Sequence, residues 1–285
     1  MSRPLSIAIL GDLHGHLDPE LDAPLLAAHP VRLCTGDLTP NRGRERFAIA
    51  MGLARNLAEL DAHTILGNHD GPTCFTGRSF PKSYLRLEKA LGEHHLGGRR
   101  VELPEHELTL VGARPLSCGG PSIRFPVPER EDWTLERWAE SIVENVLAAE
   151  HEHVIVLAHD GPTGLGDRRD SIYGCDFKRE EEGDWGDADL RMALDEVTRL
   201  GRPVTAVVAG HMHHQLIGGG ERVPIVREGP TLHVNAAVVP RVSERGRALV
   251  VLTLDEAGDT SAELWWHRDD GVDKVALSET VRGAA

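Results

Sequence analysis

Aromatic residues are scarce in this 285-residue chain. Phe, Tyr and Trp make up 4% of it, so the core has to be built from Leu, Val, Ala and Ile. Cysteine is also thin. Cys34, Cys74, Cys118 and Cys175 lie far apart and form no Cys-x-x-Cys pair, which argues against a zinc ribbon or a small disulfide framework. Cys34 falls inside an apolar run and reads as a small buried hydrophobe. No apolar run approaches the roughly 18 residues of a membrane span. The first residues lead into a strand pattern without the charged, apolar, small-residue layout of a signal segment. A cytoplasmic protein with no membrane partner is expected. Basic charge is in deficit, with 31 Lys and Arg against 45 Asp and Glu and a net charge of −14. That balance disfavours nucleic acid as a partner. It does not exclude a small phosphorylated ligand, because bound divalent metals invert the local field.

What is present is ordinary for a folded protein: 40% hydrophobic and 27% charged residues. The length suffices for a large core. No linker or composition shift divides the chain. Residues 1–285 are therefore expected to form one domain, with a polar insertion at about 163–187 and a frayed tail after about 277.

The run Ile7 to Leu10 is apolar enough for a buried strand and stops at Gly11-Asp12-Leu13-His14. Pro19 to Ala28 suits a helix with Asp18 as N-cap and Pro19 at its first position. Val31 to Thr35 is a second strand ending in Gly36-Asp37, and Arg44 to Leu60 carries apolar residues at helical spacing. Thr64 to Leu66 is a third strand, ending in Gly67-Asn68-His69-Asp70. This βαβαβ order predicts a parallel sheet with right-handed crossovers. Further on, Tyr84 to Leu91 reads as helix, and residues 100–103 and 108–111 as a hairpin. Gly119-Gly120 lies in a loop and lacks the Lys-Ser/Thr of a phosphate loop. Trp133 to Glu150 is amphipathic and helical. Val154 to Ala158 is a strand ending in His159-Asp160-Gly161-Pro162. Helix Ala188 to Leu200 precedes strand Pro203 to Ala209, which ends in Gly210-His211-Met212-His213. Four later strand patterns, starting near 223, 232, 248 and 262, fit antiparallel pairing in a second sheet.

Five strand ends thus present Asp12 and His14, Asp37, Asn68 and His69, His159, and His211 and His213. The carboxyl ends of parallel strands share one edge, where ligands collect. Seven potential ligands are too many for one tetrahedral ion and match two ions sharing a bridging carboxylate. Mixed oxygen and nitrogen donors point to Mn, Fe, Zn, Co or Ni rather than Ca.

Gly11-Asp12-x-His14, Gly36-Asp37, Gly67-Asn68-His69-Asp70, a lone His159 after a strand and Gly210-His211-x-His213 together resemble, in order, the sequence blocks of the calcineurin-like metallophosphoesterases. The resemblance implies an α/β fold of the metallo-dependent phosphatase type, a four-layer α/β/β/α sandwich of two mixed sheets flanked by helices. It implies two divalent transition-metal ions, Mn favoured. Asp12, His14 and His213 would bind the first metal, Asn68, His159 and His211 the second, and Asp37 would bridge them. The implied activity is hydrolysis of a phosphomonoester or phosphodiester by a hydroxide held between the metals. His69 would assist catalysis by protonating the leaving group or by steadying the phosphoryl oxygens, and Asp70 would orient His69. The reading from another class is a catalytically silent, phosphoesterase-like binding scaffold.

Other residues carry weaker signals. His16 has the position of a substrate-side histidine or of a solvated loop residue. Arg42 follows Asp37 in a block close to the Asp-Arg-Gly of protein phosphatases, shifted by one residue. Arg168 and Arg169, with Lys178 and Arg179, place cations in the 163–187 insertion; they are candidates for substrate contact or for pairing with its own acids. Asn235, at a later strand end, is a candidate support for the site. His214, His94, His95, His106, His151 and His153 read as surface residues, and Trp265-Trp266 as core and edge packing.

Overall fold

A computed structural model describes residues 4–71, 82–177 and 182–282; Pro72, Cys74, Lys178 and Arg179 lie outside them. The opening run forms β1 (Leu5–Leu10). Its alternation sets the layers of the fold. Ile7 and Ile9 face one cluster of buried side chains, Ala8 and Leu10 the other, as successive residues of a strand must. A strand buried on both faces reads as one continuous apolar run.

β1 pairs in parallel with β2 (Val31–Cys34), and β2 with β3 (Ala62–Thr64). Between them run α1 (Pro19–Ala27) and α2 (Arg46–Glu59), and α3 (Ser83–Leu91) follows. Asp18 caps α1, accepting from the Glu20 and Leu21 amides, with Pro19 at its first position. The other side of β1 pairs antiparallel with β11 (Gly246–Leu254), which carries the two-residue β10 (Val242–Ser243) and continues into β12 (Thr260–Arg268) and β13 (Gly271–Ala276).

The second sheet holds the hairpin β4 (Arg100–Leu103) and β5 (Leu108–Gly112), then β6 (His153–Leu157), β7 (Ala206–Ala209) and β9 (Thr231–Asn235), parallel from β5 onward. β8 (Ile225–Glu228) lies antiparallel to β9, and β14 (Glu279–Arg282) closes the edge. The helices α4 (Leu135–Leu147) and α5 (Ala188–Arg199) pack on each other and join this sheet's cluster through Ile142, Val146, Ala193 and Val197. Thr134 caps α4 by accepting from the Arg137 amide. The result is two seven-stranded mixed sheets, face to face, with helices on the outer faces.

Three expectations need correction. The five strand ends do not belong to one sheet: β1, β2 and β3 lie in one, β6 and β7 in the other. The later strands do not form a sheet of their own. β8 and β9 join the sheet of β6, while β11 and β12 join that of β1. Within the stretch after 277, residues 279–282 are not frayed but pair with β8.

Candidate metal centre

Each strand end delivers its side chain through a short break in the extended backbone. His14, Asp37 and His211 have φ of 42°, 49° and 64°, left-handed values that cost a non-glycine residue about 1–3 kcal/mol and persist where surroundings over-determine them. Hydrogen bonds do so here. The His14 amide donates to the Asp37 carbonyl at 2.7 Å, and the His211 amide donates to both Asp12 oxygens at 3.0 and 3.1 Å. Asp12 and His14 therefore converge by a turn, not because the chain stays extended between them.

Two glycines let the strand ends approach. A Cβ on Gly67 would lie 2.3 Å from Asp37 Oδ1, and one on Gly210 would lie 2.2 Å from Asp12 Oδ1. Real Cβ atoms do not stand that close to anything.

The polar atoms meet between the sheets. His14 Nε2 is 3.4 Å from His213 Nε2, and His213 Nε2 is 3.5 Å from Asp12 Oδ2. Asp37 stands in the middle. Its Oδ2 lies 3.8 Å from both His14 Nε2 and His69 Nε2, and its Oδ1 lies 3.5 Å from His159 Nε2. His159 Nε2 is 2.9 Å from Asn68 Oδ1, and the His159 and His211 rings are 5.2 Å apart. Three sets have ligand atoms mutually within 4.8 Å: Asp12, His14 and His213; Asp37, His159 and His211; and His14, Asp37 and His69.

The charge states suit a cation. Burial opposes ionisation of Asp12 and Asp37, yet the imidazoles around them win and hold both carboxyls below their usual range. Burial and the neighbouring His159 push His211 down to about 3, leaving it neutral. His159 donates from Nδ1 to the Thr35 carbonyl at 2.7 Å, which aims Nε2 at Asn68 Oδ1 and Asp37 Oδ1. Burial opposes its charged form, but Asp37 and Asp12 outweigh burial and raise its pKa, so Nε2 exchanges a proton for a cation on binding. Lone pairs aimed at lone pairs need a proton or a metal between them. Deprotonated carboxylates and neutral imidazoles are the forms that bind divalent cations. The donor set fits such ions.

Thr35 also donates from Oγ1 to Asp12 Oδ1 at 3.1 Å. Asn235 is buried behind the site, donating to the Met212 carbonyl at 2.6 Å and accepting from Ala237. It thereby fixes the peptide between His211 and His213. Thr35 gave no sequence signal beyond its place before Gly36-Asp37.

The structure separates the remaining candidates. Asp70 does not face His69 as expected. Its two oxygens accept from the Leu38, Thr39 and Gly67 amides and the Thr39 hydroxyl, which fills their acceptor positions and pins the loops after β2 and β3 together. A cavity of about 360 Å³ opens over Asp37, Asn68, His69, His211 and His213. His16, Arg42, Arg168 and Arg169 are not among its lining residues. His16, Arg42 and Arg168 are exposed. Arg168 pairs with Asp170 at 3.0 Å, and Arg169 bonds the Ile217 carbonyl. The insertion does reach the cavity, through Asp176, Phe177 and Trp185, residues that carry no positive charge to mark them in the sequence. His95 is fully buried and not a surface residue, and His214 is half-buried with Nε2 2.7 Å from the Asn235 carbonyl.

Two mixed sheets with a buried histidine–aspartate cluster between their strand ends define an α/β protein able to hold divalent cations. The chain belongs to the calcineurin-like phosphoesterase family, whose sequence pattern matches residues 5–215 and so takes in all eight side chains of the cluster. That family implies divalent metal ions and phosphoester hydrolysis. Among curated proteins, none matches the sequence. Among solved structures, the chain is similar to a sulfate thiohydrolase, SoxB, from Thermus thermophilus in complex with glycerol, at 16% identity and a TM-score of 0.45. That match covers 94% of this chain but 42% of SoxB. It is also similar to a predicted phosphoesterase from Streptococcus pneumoniae, at 11% identity and a TM-score of 0.37, covering 97% and 99% of the two chains. Among the described residues no helix is long and apolar enough to cross a membrane.

Proposed function

We propose that this chain is a dinuclear metal-dependent phosphoesterase acting on a small phosphomonoester or phosphodiester. One observation carries the reading: five strand ends from two sheets bring Asp12, His14, Asp37, Asn68, His69, His159, His211 and His213 into one cluster, and Asp37, Asn68, His69, His211 and His213 of that cluster line a cavity. Asp12, His14 and His213 would hold one cation, Asn68, His159 and His211 the other, with Asp37 between them. Divalent ions there, Mn favoured, supply Lewis acidity and acidify a water into a nucleophile at neutral pH.

The protein's own groups do the rest. His211 and His159 enter neutral or lose a proton to bind. Asp37 accepts the His69 amide at 2.8 Å, which fixes where the His69 ring sits. That ring lines the cavity, a fifth exposed, and would give a proton from Nε2 to the departing oxygen. The reading takes residues 1–285 as one domain, with neither nucleic acid nor membrane as partner.

The test is metal content and turnover of p-nitrophenyl phosphate and its bis-ester after Mn loading. Wild type should hold about two metals per chain and turn over. Asp37→Asn should lose both. His69→Ala should keep the metals and lose roughly 10²- to 10⁴-fold in kcat on alkyl esters. A fully loaded wild type with no turnover would leave the silent-scaffold reading.

A further inference from the structure

Gly119-Gly120 has no part in the metal cluster, and the structure shows what it is for. The Trp185 indole lies against it. A Cβ on Gly120 would stand 3.3 Å from the Trp185 ring, and one on Gly119 would collide with the Trp185 carbonyl at 1.7 Å. Trp185 Nε1 donates to the Cys118 carbonyl at 3.1 Å, and the Gly120 amide donates back to the Trp185 carbonyl at 3.1 Å. Trp185 is thus held through its indole nitrogen and through its backbone carbonyl. Phe177 meets it edge-on, with centroids 5.3 Å apart and planes at 85°.

Phe177 is itself anchored. The preceding Asp176 accepts the Ile217 amide at 2.8 Å and lies 3.3 Å from the buried Arg222 guanidinium. Yet Phe177 is 45% exposed, which costs hydrophobic free energy unless something covers it. Both rings line the same cavity as Asp37, His69 and His211. In a chain with 4% aromatic residues, a fixed pair of them at the mouth of the metal cluster is a specific feature.

The geometry points to an aromatic-recognition subsite: Phe177 and Trp185 select phosphoesters whose alcohol portion carries a planar aromatic ring, packed against this pair while the phosphoryl group sits over the metal cluster. The inference rests on the phosphoesterase reading for the position of the phosphoryl group. It makes a claim that a merely greasy cavity does not. Ring quadrupoles favour offset and edge-to-face contact between aromatic partners, whereas simple apolar burial favours the saturated ring, which has at least as much apolar surface.

The experiment compares 2-phenylethyl phosphate with 2-cyclohexylethyl phosphate, whose leaving groups are alkyl alcohols of similar acidity, so the chemistry of bond cleavage is held constant. The corresponding non-hydrolysable phosphonates are titrated calorimetrically into the Mn-loaded protein. The phenyl phosphonate should bind more tightly and the phenyl ester have the higher kcat/KM, each by about 3- to 10-fold, the range that aromatic pairing supplies. Phe177→Ala, at an exposed position, and Trp185→Ala should each bring both ratios toward one, while Phe177→Tyr should keep them. Equal or reversed Kd values for the two phosphonates in wild type overturn the subsite, as does a preference that survives both alanine variants. Hydrolysis of neither ester, with the Kd difference intact and lost in Phe177→Ala, overturns the phosphoesterase reading and supports the subsite.

Discussion

At the scale of single residues, the cluster depends as much on what is missing beside its ligands as on the ligands. Gly210 separates β7 from His211, and a methyl group there has no free space: Asp12 Oδ1 would lie at 2.2 Å and Thr35 Oγ1 at 2.5 Å. Since Asp12 also accepts the His211 amide, Gly210→Ala must displace Asp12 and His211 together. Metal content after dialysis against Mn should fall well below wild type, with a stability loss of about 1–3 kcal/mol from overpacking. Gly52, within α2 and with nothing inside 4 Å of its would-be Cβ, is the control. Gly52→Ala should leave metal content alone and raise stability by roughly 0.4–1 kcal/mol, because alanine costs less chain entropy in a helix. A Gly210→Ala protein that binds Mn as wild type does would show that the close approach is dispensable.

At the scale of elements, one guanidinium ties the insertion at 163–187 to the loop that carries His213. Arg222 is buried and donates to the carbonyls of His213, Arg169, Ser171 and Gly174 at 2.7–3.0 Å, so a single side chain joins the insertion to the His213 loop. Arg222→Met should lower stability by about 3–5 kcal/mol, as loss of a buried charged partner does, and raise KM by loosening Asp176 and Phe177. Arg168→Ala should change neither KM nor urea stability measurably, because its side chain is 75% exposed and its partner is a surface acid. A raised KM in Arg168→Ala would return that residue to the site. The contrast explains what could be read in advance. Strand ends were legible because each couples a short, largely apolar run to a metal-ligating residue with a Gly close beside it, and α4 because its apolar residues recur at about 3.6-residue spacing, a local signal. The insertion's buried residues, Leu165, Ile172, Tyr173 and Cys175, follow no period, so their burial is decided by Arg222 and by the sheet beneath. The split of the strands between two sheets was not legible either, since β1 meets β11 more than two hundred residues away. β14 was missed for a similar reason: Glu279–Arg282 is short and polar, and only its pairing with β8 orders it.

At the scale of the whole molecule, charge ties the helix layer to the sheet edge far from the metal cluster. Glu228 on β8 lies 3.7 Å from His233 Nε2 on β9 and 2.8 Å from Arg191 Nη1 on α5. The His233 ring, and then the Arg191 guanidinium, outweigh partial burial and hold the Glu228 carboxyl down to about 2. A carboxylate that gives up its proton more readily folded than unfolded stabilises the fold above the unfolded value near 4.5. That stabilisation is lost as pH falls toward 2. His233 acts in the same direction: burial lowers its pKa from 6.5, so it folds neutral, and acid weakens the fold by charging it in the unfolded chain first. The stability of wild type over Glu228→Gln, measured by urea unfolding in EDTA so that metal release does not enter, should be flat between pH 5 and 7. It should narrow below about pH 4.5 and drop to less than about half its neutral value by pH 3. If the gap is as wide at pH 3 as at pH 7, Glu228 stabilises by shape rather than by charge, and α5 is held to the sheet by Arg191's bond to the Thr163 carbonyl instead.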